Sequence, residues 1–104
     1  MEKVIRDGMV AVLYSSGYGA GWYSWNTHSP ECLFHPTIVE LVEQKKQKEI
    51  TTDLCDNLFG DRFYSGGAQD LYIQWIPIGT AFQIHEYDGS ESIELKEHDG
   101  WIIA

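Results

Sequence analysis

A loop that alternates glycine with aromatic residues is the part of this sequence best suited to binding. Gly17, Gly19 and Gly21 alternate within residues 15–26, and glycine lets the backbone turn freely and leaves its amides open to a ligand. Tyrosine and tryptophan are enriched among the residues that dominate binding energies. We therefore predict four contact anchors in this loop, the alternative being that their rings form a lid on the hydrophobic core. They are Tyr18, Trp22, Tyr23 and Trp25.

The glycine loop follows a predicted strand, as phosphate-binding turns do, but it lacks their other features. A dinucleotide fingerprint opens a helix with G-x-G-x-x-G, whereas two aromatic residues and Asn26 follow this loop, and no G-K-[ST] occurs. A recess formed by residues 17–21 could still hold a nucleotide-like signal between bare amides and rings. This small-molecule function is the alternative to protein binding, and it has few bases available to neutralise phosphates: Arg6, Arg62, Lys45, Lys46 and Lys48.

Carboxylates are concentrated in the second half of the chain. Residues 53–104 contain ten acids against Arg62 and Lys96, so this half carries −8 of the formal net charge of −9. DNA binding requires lysine and arginine to displace counterions, so direct nucleic-acid binding is disfavoured. The same field would attract a basic protein and speed encounter with it. We assign this steering charge to acids of the C-terminal strands, the alternative being a solvated face: Glu86, Asp88, Glu91 and Glu94.

Metal or covalent chemistry has little support in the spacing of the residues. His28, Cys32 and His35 are residue types that zinc accepts, yet their spacing matches no established motif and there is no C-x-x-C. A serine elbow of the form G-x-S-x-G is also absent. We therefore predict no metal, no cofactor and no enzymatic activity. Cys32 and Cys55 are predicted to be reduced and to pack as small hydrophobes.

The elements that must position the loop begin with a strand from Met9 to Tyr14, whose near-continuous hydrophobicity predicts burial on both faces. Pro36 suits the first position of a helix, and apolar residues at helical spacing extend that helix to about Lys48. Its lysines would complement the negative end of the helix dipole. A second, shorter helix is predicted from Thr52 as N-cap to Gly60 as the stop.

The C-terminal third of the chain has the period of β-strands. Apolar residues alternate in three runs: Leu71, Ile73 and Trp75; Phe82 and Ile84; Ile93 and Leu95. Asp88-Gly89 and Asp99-Gly100 are typical two-residue hairpin turns. A last strand at residues 101–104 could pair with a second chain, which leaves a homodimer open. The predicted fold is α+β, with an N-terminal strand, two short helices and a C-terminal antiparallel β-meander of three to four strands.

Length and composition set the outer limits. The 104 residues fit a single domain over residues 1–104, and 43% hydrophobic with 13% aromatic residues predicts a packed core. Uninterrupted apolar stretches are far shorter than the roughly 20 residues that a bilayer requires, so we expect no membrane span. The N-terminus lacks the basic-then-apolar pattern of a secretion signal, which predicts a cytoplasmic protein.

Three stretches of the chain resemble small acidic proteins carried by tailed phages and prophages. They are VAVLYSSGYGAGW at residues 10–22, LFHP at residues 33–36 and FQIHEYDGSES at residues 82–92. The resemblance implies a context and no catalytic residue, since such proteins frequently bind and block host machinery, including defence systems. The leading hypothesis is therefore a non-enzymatic binding protein of phage type, acting in the host cytoplasm, that engages and inhibits a host protein through its acidic face, its aromatic loop or both.

Overall fold

The computed structural model describes residues 1–95 and 102–104, and in these residues the fold is α+β, as predicted. Two α-helices are described, α1 (Pro36–Glu43) and α2 (Thr52–Phe59). The described strands are β1 (Ile5–Arg6), β2 (Met9–Ser15), β3 (Leu71–Pro77), β4 (Ala81–Tyr87), β5 (Ser90–Leu95) and β6 (Ile102–Ile103). The predicted turn at Asp99-Gly100 and the ring of Trp101 lie outside the described residues.

The strands form two antiparallel sheets. The first has the order β1-β2-β3, with β2 paired to β3 from Met9 opposite Pro77 to Ser15 opposite Leu71. The second has the order β5-β4-β6, with β4 paired to β5 along its length. The C-terminal sheet thus has three strands, as expected, but β3 pairs with the N-terminal strand rather than with its successor β4.

Strand β2 separates two hydrophobic cores. Ala11 and Leu13 pack into one core with residues of both helices, and Val10 and Val12 pack into the other with Phe82 of the second sheet. All four residues from Val10 to Leu13 are fully buried. The predicted burial of this strand on both faces is therefore confirmed, and the layers are helices, first sheet and second sheet.

Helix α1 begins at Pro36 as predicted but ends at Glu43, five residues before the predicted end at Lys48. The amide of Lys46 donates to the carbonyl of Leu41 over 2.8 Å, and the amide of Lys45 donates to the carbonyl of Val42 over 3.0 Å. These two bonds form a Schellman motif, which satisfies carbonyls that the helix leaves open. The lysines consequently follow the helix and do not form its last turn.

Lys45 adopts the left-handed conformation, with φ of 59°, at the position where this motif favours glycine. The left-handed region costs an L-residue about 1–2 kcal/mol, a cost that glycine would remove. The greater flexibility of glycine in the unfolded chain offsets part of this stabilisation. Lys45→Gly is therefore expected to raise the free energy of unfolding by about 0.5–1 kcal/mol, measured by urea denaturation. Lys46→Gly is the control, because Lys46 has φ of −110° and its replacement should lower stability. Equal effects of the two changes would contradict the assignment of strain to Lys45.

Helix α2 begins one residue earlier than predicted, because its N-cap is Thr51 and not Thr52. The Thr51 hydroxyl accepts a hydrogen bond from the amide of Leu54 over 3.2 Å. Gly60 ends the helix with φ of 97°, which confirms the predicted stop. Of the described residues, none belongs to a helix with the length and apolarity needed to span a bilayer.

Candidate functional site

The glycine loop, residues 16–21, is held between two other segments of backbone. On one side the amide of Ser16 donates to the carbonyl of Asp70 over 3.1 Å, and on the other the amide of Gly19 donates to the carbonyl of Asp88 over 2.6 Å. The Ser90 hydroxyl donates to the carbonyl of Ser16 over 2.8 Å. The loop therefore bridges the start of β3 and the turn between β4 and β5.

Two glycines outside the loop allow this close approach. A Cβ at Gly67 would lie 2.7 Å from the carbonyl oxygen of Gly21, and a Cβ at Gly89 would overlap the backbone of Gly19 and Ala20. Since any other residue would push these backbones apart, glycine is required here for packing. The glycine loop is thus a fixed part of the fold and not an open flap.

A buried carboxylate holds the two ends of the glycine loop together. Glu91 is only 3% exposed. It accepts hydrogen bonds from the amides of Ser15 at 2.8 Å, Trp22 at 2.9 Å and Ser24 at 2.8 Å, and from the Ser24 hydroxyl at 2.6 Å. Four donors satisfy a buried charge that would otherwise be very costly to desolvate. Glu91 therefore fixes the backbone immediately before and after the loop.

This position corrects the prediction that Glu91 supplies steering charge at the surface. Glu91 lies two residues before Ile93 on β5, so the strand period places both side chains on the same face. Ile93 packs against the core of the second sheet. The alternation itself therefore indicates that Glu91 points inward, although its charge alone suggested a solvated position.

The four predicted anchor rings divide into two that face outward and two that do not. Tyr18 is 76% exposed and Trp25 is 41% exposed. Trp22 is fully buried; its indole nitrogen donates to the Cys32 carbonyl over 2.8 Å, and its ring packs edge-on to Phe63. Tyr23 is half-buried and packs against both cores. The prediction of a surface anchor is wrong for Trp22, which is a core residue.

The segments that flank the glycine loop add exposed rings that were not predicted. Tyr64 is 51% exposed and stacks on Trp25, with ring centroids 5.4 Å apart. Tyr87 is 74% exposed and directly precedes the turn residue Asp88, whose carbonyl holds the loop. The available sequence signal was the position of each tyrosine next to turn residues. We call four side chains the ring surface: Tyr18, Trp25, Tyr64 and Tyr87.

Two of the predicted steering acids flank the ring surface. Asp88 and Glu86 are exposed, and the Glu86 carboxylate also accepts the amide hydrogen of Gly89 over 2.6 Å. Glu94 lies farther along β5 and forms an ion pair with His85. These three acids therefore keep a surface or part-surface position that is compatible with steering.

A further acid, Asp70, belongs to the same region. Asp70 is exposed, and its side chain lies where a Cβ of Gly17 would be. Residues 63–95 contain five acids and no lysine or arginine, and Arg62 and Lys96 are the bases that adjoin this segment in the sequence. The surroundings of the ring surface therefore carry a negative field that attracts cationic groups.

Three amides in and beside the glycine loop are already used by this chain. The amides of Ser16 and Gly19 donate to backbone carbonyls, and that of Trp22 donates to the Glu91 carboxylate. Glu91 collects several amides in the way a bound anion would. A second anion at this position would be repelled by the carboxylate of Glu91.

The cysteines are placed for packing. Burial raises the pKa of Cys32 far above its usual range, and the charges of Glu91 and Glu31 raise it further. Burial raises the pKa of Cys55 to about 11. Both side chains therefore favour the neutral thiol at pH 7, whereas nucleophilic attack needs the thiolate.

The residues whose types suit zinc, His28, Cys32 and His35, do not form a metal-binding cluster. Across residues 1–95 and 102–104, no group of three His, Cys, Asp or Glu side chains is arranged to hold a metal ion. The ring of His35 instead accepts the amide hydrogen of Thr37 at the start of α1, over 3.2 Å, and packs edge-on to Phe59. His35 thus has a structural role at the helix N-terminus.

Comparison of the chain with protein-family models, with curated proteins and with solved structures found no match. The resemblance to phage proteins therefore stays an expectation. The geometry of the ring surface and its acids is what bears on function.

Proposed function

We propose that this chain is a non-enzymatic binding protein that engages a partner protein with a basic surface through the ring surface and its neighbouring acids. The observation that carries the proposal is a fixed loop with outward rings. Glu91 holds both ends of the glycine loop by four hydrogen bonds, while Tyr18 and Trp25 stay exposed. A backbone that is already in place needs no ordering when its rings bind, so more of their contact energy appears as affinity.

The charges near the rings favour a cationic partner. The formal net charge is −9, and such a field accelerates encounter with a basic surface. The resemblance to phage proteins would place this partner among host proteins. Occlusion of a basic groove that normally holds nucleic acid is the form of inhibition that this charge favours.

A charge-neutralising variant tests the steering. Asp70→Asn, Asp88→Asn and Glu94→Gln together change the formal net charge from −9 to −6, removing two acids near the rings and one farther along β5. We expect the association rate with a captured basic partner to fall about tenfold at low salt and its salt dependence to flatten, because steering changes rates by roughly 10-fold or more. The measurement is surface plasmon resonance at several salt concentrations.

The matched control removes the same charge elsewhere, at the exposed residues Glu2, Glu40 and Glu49. Replacing all three with glutamine should change the association rate less than twofold. Equal losses in the two triple variants would mean that net charge alone matters and that the acids beside the rings do not form a binding face.

The rings are tested by capture from a bacterial lysate with quantitative mass spectrometry. A partner that binds through the ring surface is retained by the wild type and by the control triple variant, and it is lost with Tyr18→Ser combined with Tyr87→Ser. Capture of the same proteins by all three chains would contradict the proposal. Thermal stabilisation by a nucleotide at a hundred times its Kd, about 2.7 kcal/mol, would instead support the small-molecule alternative.

A further inference from the structure

Trp25 and Tyr64 form a stacked pair at the surface. Their ring centroids are 5.4 Å apart with an angle of 26° between the planes, and the two residues are 41% and 51% exposed. Each ring covers one face of the other, so solvent reaches the uncovered faces and edges of the two rings. An uncovered face of either ring is a flat apolar area that a planar group can cover.

A buried amide holds the backbone of this pair. Asn26 is fully buried. Its Nδ2 donates to the carbonyls of Trp22 at 2.7 Å and Tyr64 at 2.9 Å, and its Oδ1 accepts the amide hydrogen of Tyr64 at 2.7 Å. Three hydrogen bonds of one interior side chain thus join the turn that carries Trp25 to the segment that carries Tyr64.

Bare backbone lies beside both rings. A Cβ at Gly66 would be 2.5 Å from the ring of Tyr64, and a Cβ at Gly21 would be 3.0 Å from Cδ1 of Trp25. The rings therefore pack closely against glycine backbone and have little room to rotate toward it. Rigid aromatic side chains of this kind supply contact area at a low entropic cost.

We propose that the Trp25–Tyr64 pair is the subsite that receives an arginine side chain of the partner, an inference that rests on the proposed function. Aromatic faces attract cations. The guanidinium is planar and less strongly hydrated than an ammonium, so it stacks on rings better than lysine does. Residues 63–95 contain no lysine or arginine to neutralise their carboxylates, so the negative field there attracts an incoming cation.

The fold already uses this chemistry with its own cations at other rings. Arg6 lies 5.4 Å from the ring centroid of Trp75, and Lys3 lies 4.7 Å from that of Phe34. Arg6 is also held by two hydrogen bonds to the Glu43 carboxylate, at 2.5 and 2.9 Å. These contacts are internal, whereas the Trp25–Tyr64 pair faces outward.

The test uses the full chain and two defined probes. One is an acetylated and amidated peptide with four arginines separated by glycines; the other replaces each arginine with lysine. We expect the arginine peptide to bind at least threefold more tightly and to shift the indole N–H resonance of Trp25 in NMR spectra, because stacking adds to the shared charge attraction. Trp25→Phe identifies that resonance among the four tryptophans.

Single variants separate the rings from the general field. Trp25→Ala and Tyr64→Ala should each weaken the arginine peptide about threefold to fivefold and remove its preference over lysine. Tyr64→Phe retains the ring and should retain the affinity, which also guards against a folding defect in the alanine variants. Tyr72→Ala is the matched control, since Tyr72 is an exposed tyrosine that packs on Tyr14 instead.

Three outcomes would overturn the inference. In the first, both peptides bind with equal affinity, and this affinity is lost in the Asp70, Asp88 and Glu94 triple variant but kept in Trp25→Ala. That result would support the acidic binding face and exclude an arginine subsite. Failure of both peptides to bind would remove the subsite, while the captured partner would still decide the proposed function. A larger shift of the Trp25 indole with AMP than with the arginine peptide would assign the pair to a nucleobase.

Discussion

Replacing Glu91 with alanine is expected to lower the free energy of unfolding by about 3–5 kcal/mol, because each buried donor left without an acceptor costs roughly 1–3 kcal/mol. The amides of Ser15 and Trp22 both donate to this carboxylate from buried positions. Ser24 adds its amide and its hydroxyl. A typical domain is stabilised by about 5–15 kcal/mol, so such a loss is a large share of the total.

Glutamine at the same position distinguishes charge and hydrogen bonding from side-chain volume. Glu91→Gln keeps the shape but turns one acceptor into a donor that faces the amides, so we expect a loss of about 2 kcal/mol or more. The control is Glu40→Gln on the exposed face of α1, which should change stability by less than about 0.5 kcal/mol. Urea unfolding followed by circular dichroism measures both. A Glu91→Gln variant as stable as Glu40→Gln would show that the carboxylate does not hold the loop.

Local signals in the sequence predicted the elements well where they depend on near neighbours. The Asp88-Gly89 turn is an example, since φ of 50° and 85° at these residues is typical of the type I′ turn that this dipeptide favours. The strand at Met9 and the helix start at Pro36 are also confirmed. In each case the residues that decide the conformation lie within a few positions of it.

The parts that the sequence did not predict depend on distant partners. Glu91 is 76 residues from Ser15, whose amide it accepts, so only the folded chain brings its donors together. Tyr64 is 38 residues from Asn26, the side chain that positions it. The pairing of β3 with β2 joins Leu71 to Ser15 in the same way. Charge and aromatic content indicated the region of the site, whereas its exposed residues follow from these long-range contacts.

Gly89 and Gly79 offer a matched pair for the second large effect. Both have φ of 85°, so alanine at either position meets the same left-handed strain of about 1–2 kcal/mol. A Cβ at Gly79 has no atom within 4 Å, whereas a Cβ at Gly89 would overlap the backbone of Gly19 and Ala20. Backbone cannot rotate away as a flexible side chain can, so the overlap should add about 1–3 kcal/mol to the loss at Gly89.

We therefore expect Gly89→Ala to lower the free energy of unfolding by roughly 2–5 kcal/mol and Gly79→Ala by about 1–2 kcal/mol, both measured by urea unfolding. The amide of Gly19, which donates to the carbonyl of Asp88, should exchange with solvent faster in Gly89→Ala only, because the loop must move away from the turn. Equal losses and equal exchange would mean that the two segments do not touch in solution. If the loop does move, Tyr18 moves with it, and Gly89→Ala should weaken partner binding while Gly79→Ala leaves it intact.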